Sequence, residues 1–354
     1  MTGNKQKYNP LLEDDLKSIW ENLKDILNEI KGKTFFITGG TGFFGKWFLE
    51  TFSYCNSLLD LNCNIIVLSR VPAKFLDEFP YFNQDKIKFY EGDIVNYHFP
   101  NEDIDYIIHG ATSASVELNS NDPLMMLDTI INGTRRTLEL AKDKKVKSLL
   151  YISSGAVYGK FYSDMLKVSE DYKCSPDCTE PLSAYGEGKR VGELLCSIYF
   201  KHFGVPAKIA RCFAFVGPYL PLDKHFAVGN FILNALKNEN IIVKGDGMPL
   251  RSYLYPTDLV TWLIRILIRG KNNYPYNVGS SKEISIGRLA MEISLITSGI
   301  LGVKILIKSP KVKLAESYVP IVKKIETELG VQQEVNLQSA LKKTINFHLK
   351  LLHN

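Results

Sequence analysis

The chain has 354 residues, 45% of them hydrophobic and 23% charged, enough for one large or two modest globular domains. Its 43 basic and 38 acidic side chains leave a formal charge of +5, which suits anionic small ligands but offers no basic run to track a nucleic acid. No apolar run reaches membrane-span length, and no apolar signal region follows Met1 to Tyr8. The six cysteines form no secreted-scaffold framework, so the expected setting is the cytoplasm, with neither a membrane nor a nucleic-acid partner.

Leu12, Leu16, Ile19, Leu23, Ile26, Leu27 and Ile30 recur every three or four residues and predict one amphipathic helix from Asp14 to Ile30. Residues 1–32 thus form an extension that packs on its own domain or meets another subunit. A buried strand is expected over Thr34–Thr38. After it, Gly39, Gly42 and Gly45 give the spacing G-x-x-G-x-x-G. The first permits a tight turn, the second lets backbone approach a pyrophosphate, and the third lets a helix pack on the strand. That helix, Phe43 to Tyr54, aims its free N–H groups at the phosphates, which sets Gly39, Gly42, Phe43, Phe44 and Gly45 against a dinucleotide.

The second strand, Asn64–Ser69, ends in Ser69-Arg70 where a carboxylate would receive the adenosine ribose. Arginine cannot accept those bonds but can pair with a 2′-phosphate, which tilts the cofactor toward NADP over NAD. Arg70 can equally stack on adenine or face solvent. After a short strand at Ile87–Tyr90, Asp93 can accept from the adenine amino group with Ile94 against the ring. The fourth strand, Asp103–His109, runs into the small residues Gly110 to Ser115, where Ala111 lets the cofactor lie close; His109 reads as structural. A helix over Asp122–Lys142 and a strand over Ser148–Ser153 complete repeated β–α units. The fold class is therefore α/β, a Rossmann-type doubly wound parallel sheet.

Lys160 to Pro181 reads as a polar surface loop. It holds Cys174 and Cys178, a lone C-x-x-x-C that reads as free thiols and not as a metal site. A helix over Ser183–Phe203 and a strand over Lys208–Phe213 follow. Beyond Gly217 come helices at Phe226–Lys237, from Asp258, and at Leu337–Leu351. Short strands are expected at Ile241–Val243, Tyr276–Val278, Lys282–Ile286 and Lys304–Ile307. Residues 33–216 are thus mainly the nucleotide domain with its catalytic helix. Residues 217–354 are mainly a smaller substrate lobe, interleaved with returns to the first.

The chemistry concentrates at the end of the fifth strand. Ser154 can hydrogen-bond a substrate oxygen as charge builds on it. Tyr185 and Lys189 lie four apart on one helix face. A phenol is a poor base at neutral pH, but a neighbouring ammonium and an oxidised nicotinamide favour its phenolate. Tyr185 can then take a proton from a sugar hydroxyl while hydride leaves, or return it in the reduction.

These residues resemble the extended short-chain dehydrogenase/reductases of the NAD(P)-dependent nucleotide-sugar epimerase/dehydratase group, over about residues 33–350. The resemblance rests on Gly39 to Gly45, Gly92-Asp93, Ser153 to Gly159, Tyr185-x-x-x-Lys189, Gly217-Pro218, Arg251 to Tyr255 with Asp258, and Tyr276 to Gly279. It implies catalytic Ser154, Tyr185 and Lys189, bound NAD or NADP with Lys189 on its ribose, and a nucleoside-diphosphate sugar. It also implies a homodimer through the helices near 122–142 and 183–203. Asn230 is expected at the diphosphate by resemblance. Arg251 can clamp the same group through its planar fork or pair with a carboxylate such as Asp258.

Where the 4,6-dehydratases carry Thr-Asp-Glu, this chain has Ser154-Gly155-Ala156, and Gly155 also lacks the glutamate usual in the decarboxylases. Yet Tyr185 to Arg190 and Arg251 to Tyr255 look like the decarboxylase branch. The leading expectation is C4 epimerisation through a transient keto sugar. NADPH-dependent reduction of a keto-sugar nucleotide comes next, then dehydration or decarboxylation. A nonenzymatic nucleotide-binding scaffold is the alternative of a different class, and the presence of both Tyr185 and Lys189 speaks against it.

Overall fold

The computed structural model describes residues 7–112, 116–160, 167–224, 226–297, 302–306 and 316–353. Residues 1–6, 113–115, 161–166 and 307, on which parts of the readings above fall, lie outside the described residues. The strands are β1 (Thr34–Thr38), β2 (Asn64–Ser69), β3 (Ile87–Glu91), β4 (Tyr106–His109), β5 (Ser148–Ser154), β6 (Ala207–Cys212), β7 (Ile241–Val243), β8 (Leu250–Arg251), β9 (Pro275–Val278), β10 (Ile284–Ser285), β11 (Val303–Ile305) and β12 (Ser317–Tyr318). The helices are α1 (Glu13–Leu23), α2 (Leu27–Ile30), α3 (Phe43–Leu58), α4 (Pro72–Glu78), α5 (Val116–Asn121), α6 (Pro123–Lys144), α7 (Ala184–Phe203), α8 (Ala227–Leu236), α9 (Pro256–Arg269), α10 (Ile286–Ile296), α11 (Lys323–Leu329) and α12 (Leu337–His353).

Seven strands form one parallel sheet in the order β3-β2-β1-β4-β5-β6-β9. This is the doubly wound Rossmann arrangement with a seventh strand added. Alternation along each strand divides the core into two layers. Phe35, Ile37, Ile65 and Val67 join the side chains of α1, α3 and α9 on one face. Phe36, Ile66, Leu68 and Tyr151 join those of α6 and α7 on the other. Each such buried side chain contributes about 1.5–3 kcal/mol, so a one-residue slip in register would expose a whole layer. The chain runs outward from β1 to β3 and then crosses back to β4. That reversal opens a crevice at the carboxyl ends of β1 and β4.

The single helix expected over 14–30 is two, α1 and α2, with a turn between them in which the Ile26 N–H donates to Leu23 O at 2.9 Å. Ile26, Leu27 and Ile30 all enter the core, as the helical spacing predicts, although the backbone turns between the two helices. This extension lies on α9 and α3. Tyr255 donates to Asp15 at 2.6 Å, and Arg265 pairs with Asp25 at 2.7 Å. Strand β4 begins three residues later than expected. Asp105 just before it already bonds both sides through its backbone, its N–H donating to Thr34 O at 2.9 Å and its carbonyl accepting from Lys147 N at 2.7 Å, while its carboxylate accepts from Thr34 N at 3.0 Å and pairs with Lys147 at 2.9 Å.

Beyond β6 a third apolar cluster gathers Val216, Phe231, Ile232, Ile241, Leu289, Ile293, Leu341 and Ile345. It seats α8, α10 and α12 beside two small sheets, β10-β8-β12 and β11-β7.

Candidate active site

The cofactor cradle starts at Gly39, whose φ of 74° lies in the left-handed region. A Cβ there would stand 2.7 Å from the carbonyl carbon and oxygen of Gly110, so the β1 turn and the β4 end touch backbone to backbone. At Gly45 a Cβ would stand 2.3 Å from Gly40, which lets α3 begin directly against the turn. Gly42 caps α3 without any side-chain bond, so the first-turn N–H groups of a sixteen-residue helix face the crevice uncapped by a side chain. That arrangement fits a pyrophosphate. Phe43 and Phe44 form the first turn, with Phe44 edge-on to Phe215 at 5.0 Å.

Ser69 is half-buried at the end of β2. Arg70 is exposed and, among the described residues, makes no ion pair. Asp93 is half-buried and accepts from Val95 N at 3.1 Å. Ile94 is buried against Gly133 of α6, and Ala111 is half-buried beside the turn.

His109 pins this edge. One ring nitrogen meets Thr38 Oγ1 at 2.8 Å and the other meets Thr134 Oγ1 at 3.1 Å. Burial, and then the Lys189 charge, push its pKa down to about 3, so the imidazole is neutral. It is a structural histidine, as its sequence context suggests.

Ser154 is the last residue of β5, and its Oγ accepts from Ala156 N at 3.1 Å. Tyr185 stands in the first turn of α7, anchored where its N–H donates to Asn119 Oδ1 at 3.1 Å. Burial raises the Tyr185 phenol above its ordinary range, and the hydrogen bond with Ser154 opposes that rise. Lys189, one turn on, is 3% exposed. Its Nζ donates to Ile152 O at 2.8 Å and to Thr112 Oγ1 at 2.9 Å, and lies 5.9 Å from the Tyr185 ring centre. Burial pulls its pKa down to about 8. Serine, phenol and ammonium thus converge beside the crevice.

A partly buried ionic network braces this edge. Glu193, one turn beyond Lys189, accepts from Ser153 Oγ at 2.6 Å and from Arg211 at 2.7 Å. Arg211 also donates to Tyr158 Oη at 2.9 Å, and Tyr158 donates to Asn277 at 2.8 Å. These bonds tie β5, β6, α7 and β9 together at the end where Ser154 sits.

The expected diphosphate residues lie on α8 and β8. Asn230 is half-buried on α8. Arg251, on β8, pairs with Glu316 at 2.8 Å and not with Asp258. Asp258 is spoken for by backbone, because its oxygens accept from Glu334 N at 3.3 Å and Val335 N at 3.2 Å.

Sequence reasoning missed Thr112 and Tyr318. Thr112 lies within the small-residue run after β4, where a hydroxyl was the available signal. Tyr318 lies 164 residues from Ser154, and no motif spacing relates the two. Its hydroxyl is 3.4 Å from Ser154 Oγ, and its ring packs on Phe213 with centres 4.8 Å apart.

The six cysteines are free thiols. Among the described residues no cluster of His, Cys, Asp and Glu could hold a metal, and no helix is long and apolar enough to cross a membrane.

The profile of the NAD dependent epimerase/dehydratase family matches residues 35–279. UDP-glucuronic acid decarboxylase 1 of Xenopus tropicalis is 30% identical over 328 residues, 93% of this chain and 75% of the relative. Human dTDP-D-glucose 4,6-dehydratase is 24% identical over 350 residues, 91% of each chain. Among solved structures, UDP-glucuronic acid 4-epimerase from Bacillus cereus, in complex with UDP-glucuronic acid and NAD, superposes with a TM-score of 0.74. It is 24% identical and the match covers 90% of this chain and 99% of the epimerase, which establishes likeness of fold. The chain is therefore an enzyme of the NAD dependent epimerase/dehydratase family, within the extended short-chain dehydrogenase/reductases.

Proposed function

We propose that this enzyme oxidises a nucleoside-diphosphate sugar at C4 to a keto intermediate and then returns the ketone to an alcohol. The observation that carries this reading is the convergence of Ser154, Tyr185 and Lys189 beside the uncapped start of α3. Gly39, Gly42, Phe43, Phe44 and Gly45 would hold the pyrophosphate, and Lys189 and Thr112 the nicotinamide ribose. When bound, NAD(P) supplies the hydride acceptor. Tyr185 takes the C4 hydroxyl proton, Ser154 donates to the same oxygen, and the Lys189 ammonium favours the phenolate. With a pKa of about 8, Lys189 keeps that charge at neutral pH.

Two fates of the ketone have an observation each. Unaltered return from either face, the epimerase reading, is favoured by the corner beside Ser154. A Cβ at Gly155 would stand 2.7 Å from the Phe213 ring and 2.8 Å from Tyr318 Oη, so a carboxylate there has no room without a shift. Loss of carbon dioxide before return is favoured by the sequence relatives, which include several UDP-glucuronic acid decarboxylases and outweigh the epimerase expectation. A uronate oxidised at C4 is a β-keto acid, so its carboxyl can leave without an added carboxylate.

The family name and the NAD in related structures weigh toward NAD, against the Arg70 tilt to NADP. Leu124, Leu194 and Phe203 are exposed on α6 and α7, which suits a homodimer through those helices. The deciding experiment incubates the enzyme with UDP-glucuronic acid, UDP-glucose and dTDP-glucose and follows keto sugar, carbon dioxide and stereoisomer. Absence of any C4 oxidation refutes the reading.

A further inference from the structure

Ser154 has one proton and two acceptor positions, and the proposed C4 chemistry needs that proton aimed at the sugar oxygen. The Ala156 N–H already fills one acceptor position at 3.1 Å. The group placed to fill the other is Tyr318, whose hydroxyl lies 3.4 Å from Oγ. That separation is long for an O–H···O bond, but catalytic hydrogen bonds commonly shorten once substrate binds.

The fold holds this phenol firmly. β12 runs parallel to β8, with Tyr318 opposite Arg251. On its other side Val168 N donates to Val319 O at 3.0 Å, and Ile321 N donates to Val168 O at 2.7 Å. The ring lies on Phe213, and its hydroxyl occupies the space that a side chain at position 155 would enter. Gly155 therefore leaves room for the Tyr318 hydroxyl.

We propose that Tyr318 is a positioning residue that donates its hydroxyl proton to Ser154 Oγ, leaving the serine's own proton free for the reacting oxygen when the sugar is bound and for Tyr185 when it is not. The inference rests on the C4 reading and names a residue in the same corner. It predicts coupling between Tyr318 and Ser154, beyond a simple loss of packing.

The test is a double-mutant cycle in single-turnover hydride transfer, using whichever of UDP-glucose, UDP-glucuronic acid and dTDP-glucose the wild type oxidises. Tyr318→Phe keeps the ring and should lower the rate about tenfold, with KM nearly unchanged. In a Ser154→Ala background the same change should cost nothing further. Equal losses in both backgrounds, or none in either, overturn the proposal.

If the wild type oxidises none of these sugars, the C4 reading fails and Tyr318 is judged without substrate. The Tyr185 hydroxyl is then titrated by NMR with isotope-labelled tyrosine and identified by its absence in Tyr185→Phe. Ser154 of β5, Lys189 of α7, Cys212 of β6 and Tyr318 of β12 are the polar or titratable groups around it. Tyr318→Phe and Ser154→Ala should each move that titration to higher pH, and the double variant no further. An unmoved titration in Tyr318→Phe overturns the proposal on this arm.

Discussion

Replacing Lys189 with methionine should separate stability from function. Burial holds the Lys189 ammonium at about 8, against 10.5 in the open chain. Near pH 7 both states are protonated, and the folded state carries a burial cost on the order of 3 kcal/mol at about 1.36 kcal/mol per pKa unit. Methionine fills a similar channel without that cost. It forfeits the bonds to Ile152 O and Thr112 Oγ1, at 2.8 and 2.9 Å, each worth roughly 1.5–3 kcal/mol from a charged donor. About 3 kcal/mol relieved stands against about 3–6 forfeited, so Lys189→Met should be between neutral and about 3 kcal/mol less stable, melting no more than about 10 °C below wild type near neutral pH. Cofactor affinity and hydride transfer should both fall steeply, because the ammonium is proposed to serve both.

The pH dependence has a definite sign. Between about 8 and 10.5 the unfolded chain keeps a proton that folded Lys189 has released, so this residue makes wild-type stability rise with pH across that window. The variant lacks the rise. Denaturant unfolding of both proteins at several pH values, with cofactor titration calorimetry, measures each part. A variant that binds cofactor and transfers hydride like wild type refutes the assignment. A stability difference that stays flat across the window refutes the electrostatic account.

Tyr185→Phe should bind cofactor normally and lose about a hundredfold to ten-thousandfold in single-turnover oxidation; an unchanged rate would remove Tyr185 as the base. Arg70→Ala should lower NADP affinity more than NAD affinity, and a preference for NAD that the substitution leaves alone would place Arg70 outside the phosphate site. Arg251→Ala should weaken nucleotide-sugar binding by roughly tenfold or more while sparing cofactor, whereas Glu316→Gln, which frees the guanidinium, should strengthen it; calorimetric affinities that move together would point to a folding defect. If the proposed homodimer forms through α6 and α7, Leu194→Asp should turn it into monomers in sedimentation, since this side chain is 58% exposed on α7 in the single chain; a wild type that sediments as a monomer refutes the dimer.

The parallel sheet and the cradle were legible because their determinants are local. Phe35 to Ile37 form a short apolar run, and the glycine spacing fixes a turn within a few residues. Ser154, Tyr185 and Lys189 could be grouped because the last two share a helix face and the first ends a buried strand. The break between α1 and α2 was not legible, because Ile26 and Leu27 fit a helical period whether or not the backbone turns there. Which carboxylate Arg251 pairs with, Glu316 where Asp258 was the example offered, was not legible for a related reason. Glu316 reaches it only because β12 lies beside β8, and that pairing depends on the third dimension. Tyr318 comes to Ser154 by the same route.

That corner also bears on why similarity alone is a poor guide to the reaction. An elimination across C5 and C6 needs an acid and a base placed in addition to Tyr185, and a side chain at position 155 would collide with Phe213 and Tyr318. Decarboxylation makes a smaller demand, because the C4 ketone itself withdraws the electrons left by the departing carboxyl group. A neutral phenol beside Ser154 also spares a uronate the repulsion that a nearby carboxylate would impose. Similarity to decarboxylases and the absence of their extra carboxylate are therefore compatible in one active site. Epimerisation asks instead that the keto sugar turn over before it is reduced, which requires room around the ring. The two reactions share the oxidation at Tyr185 and part only afterwards, so carbon dioxide release from UDP-glucuronic acid distinguishes them even when the first hydride transfer is identical.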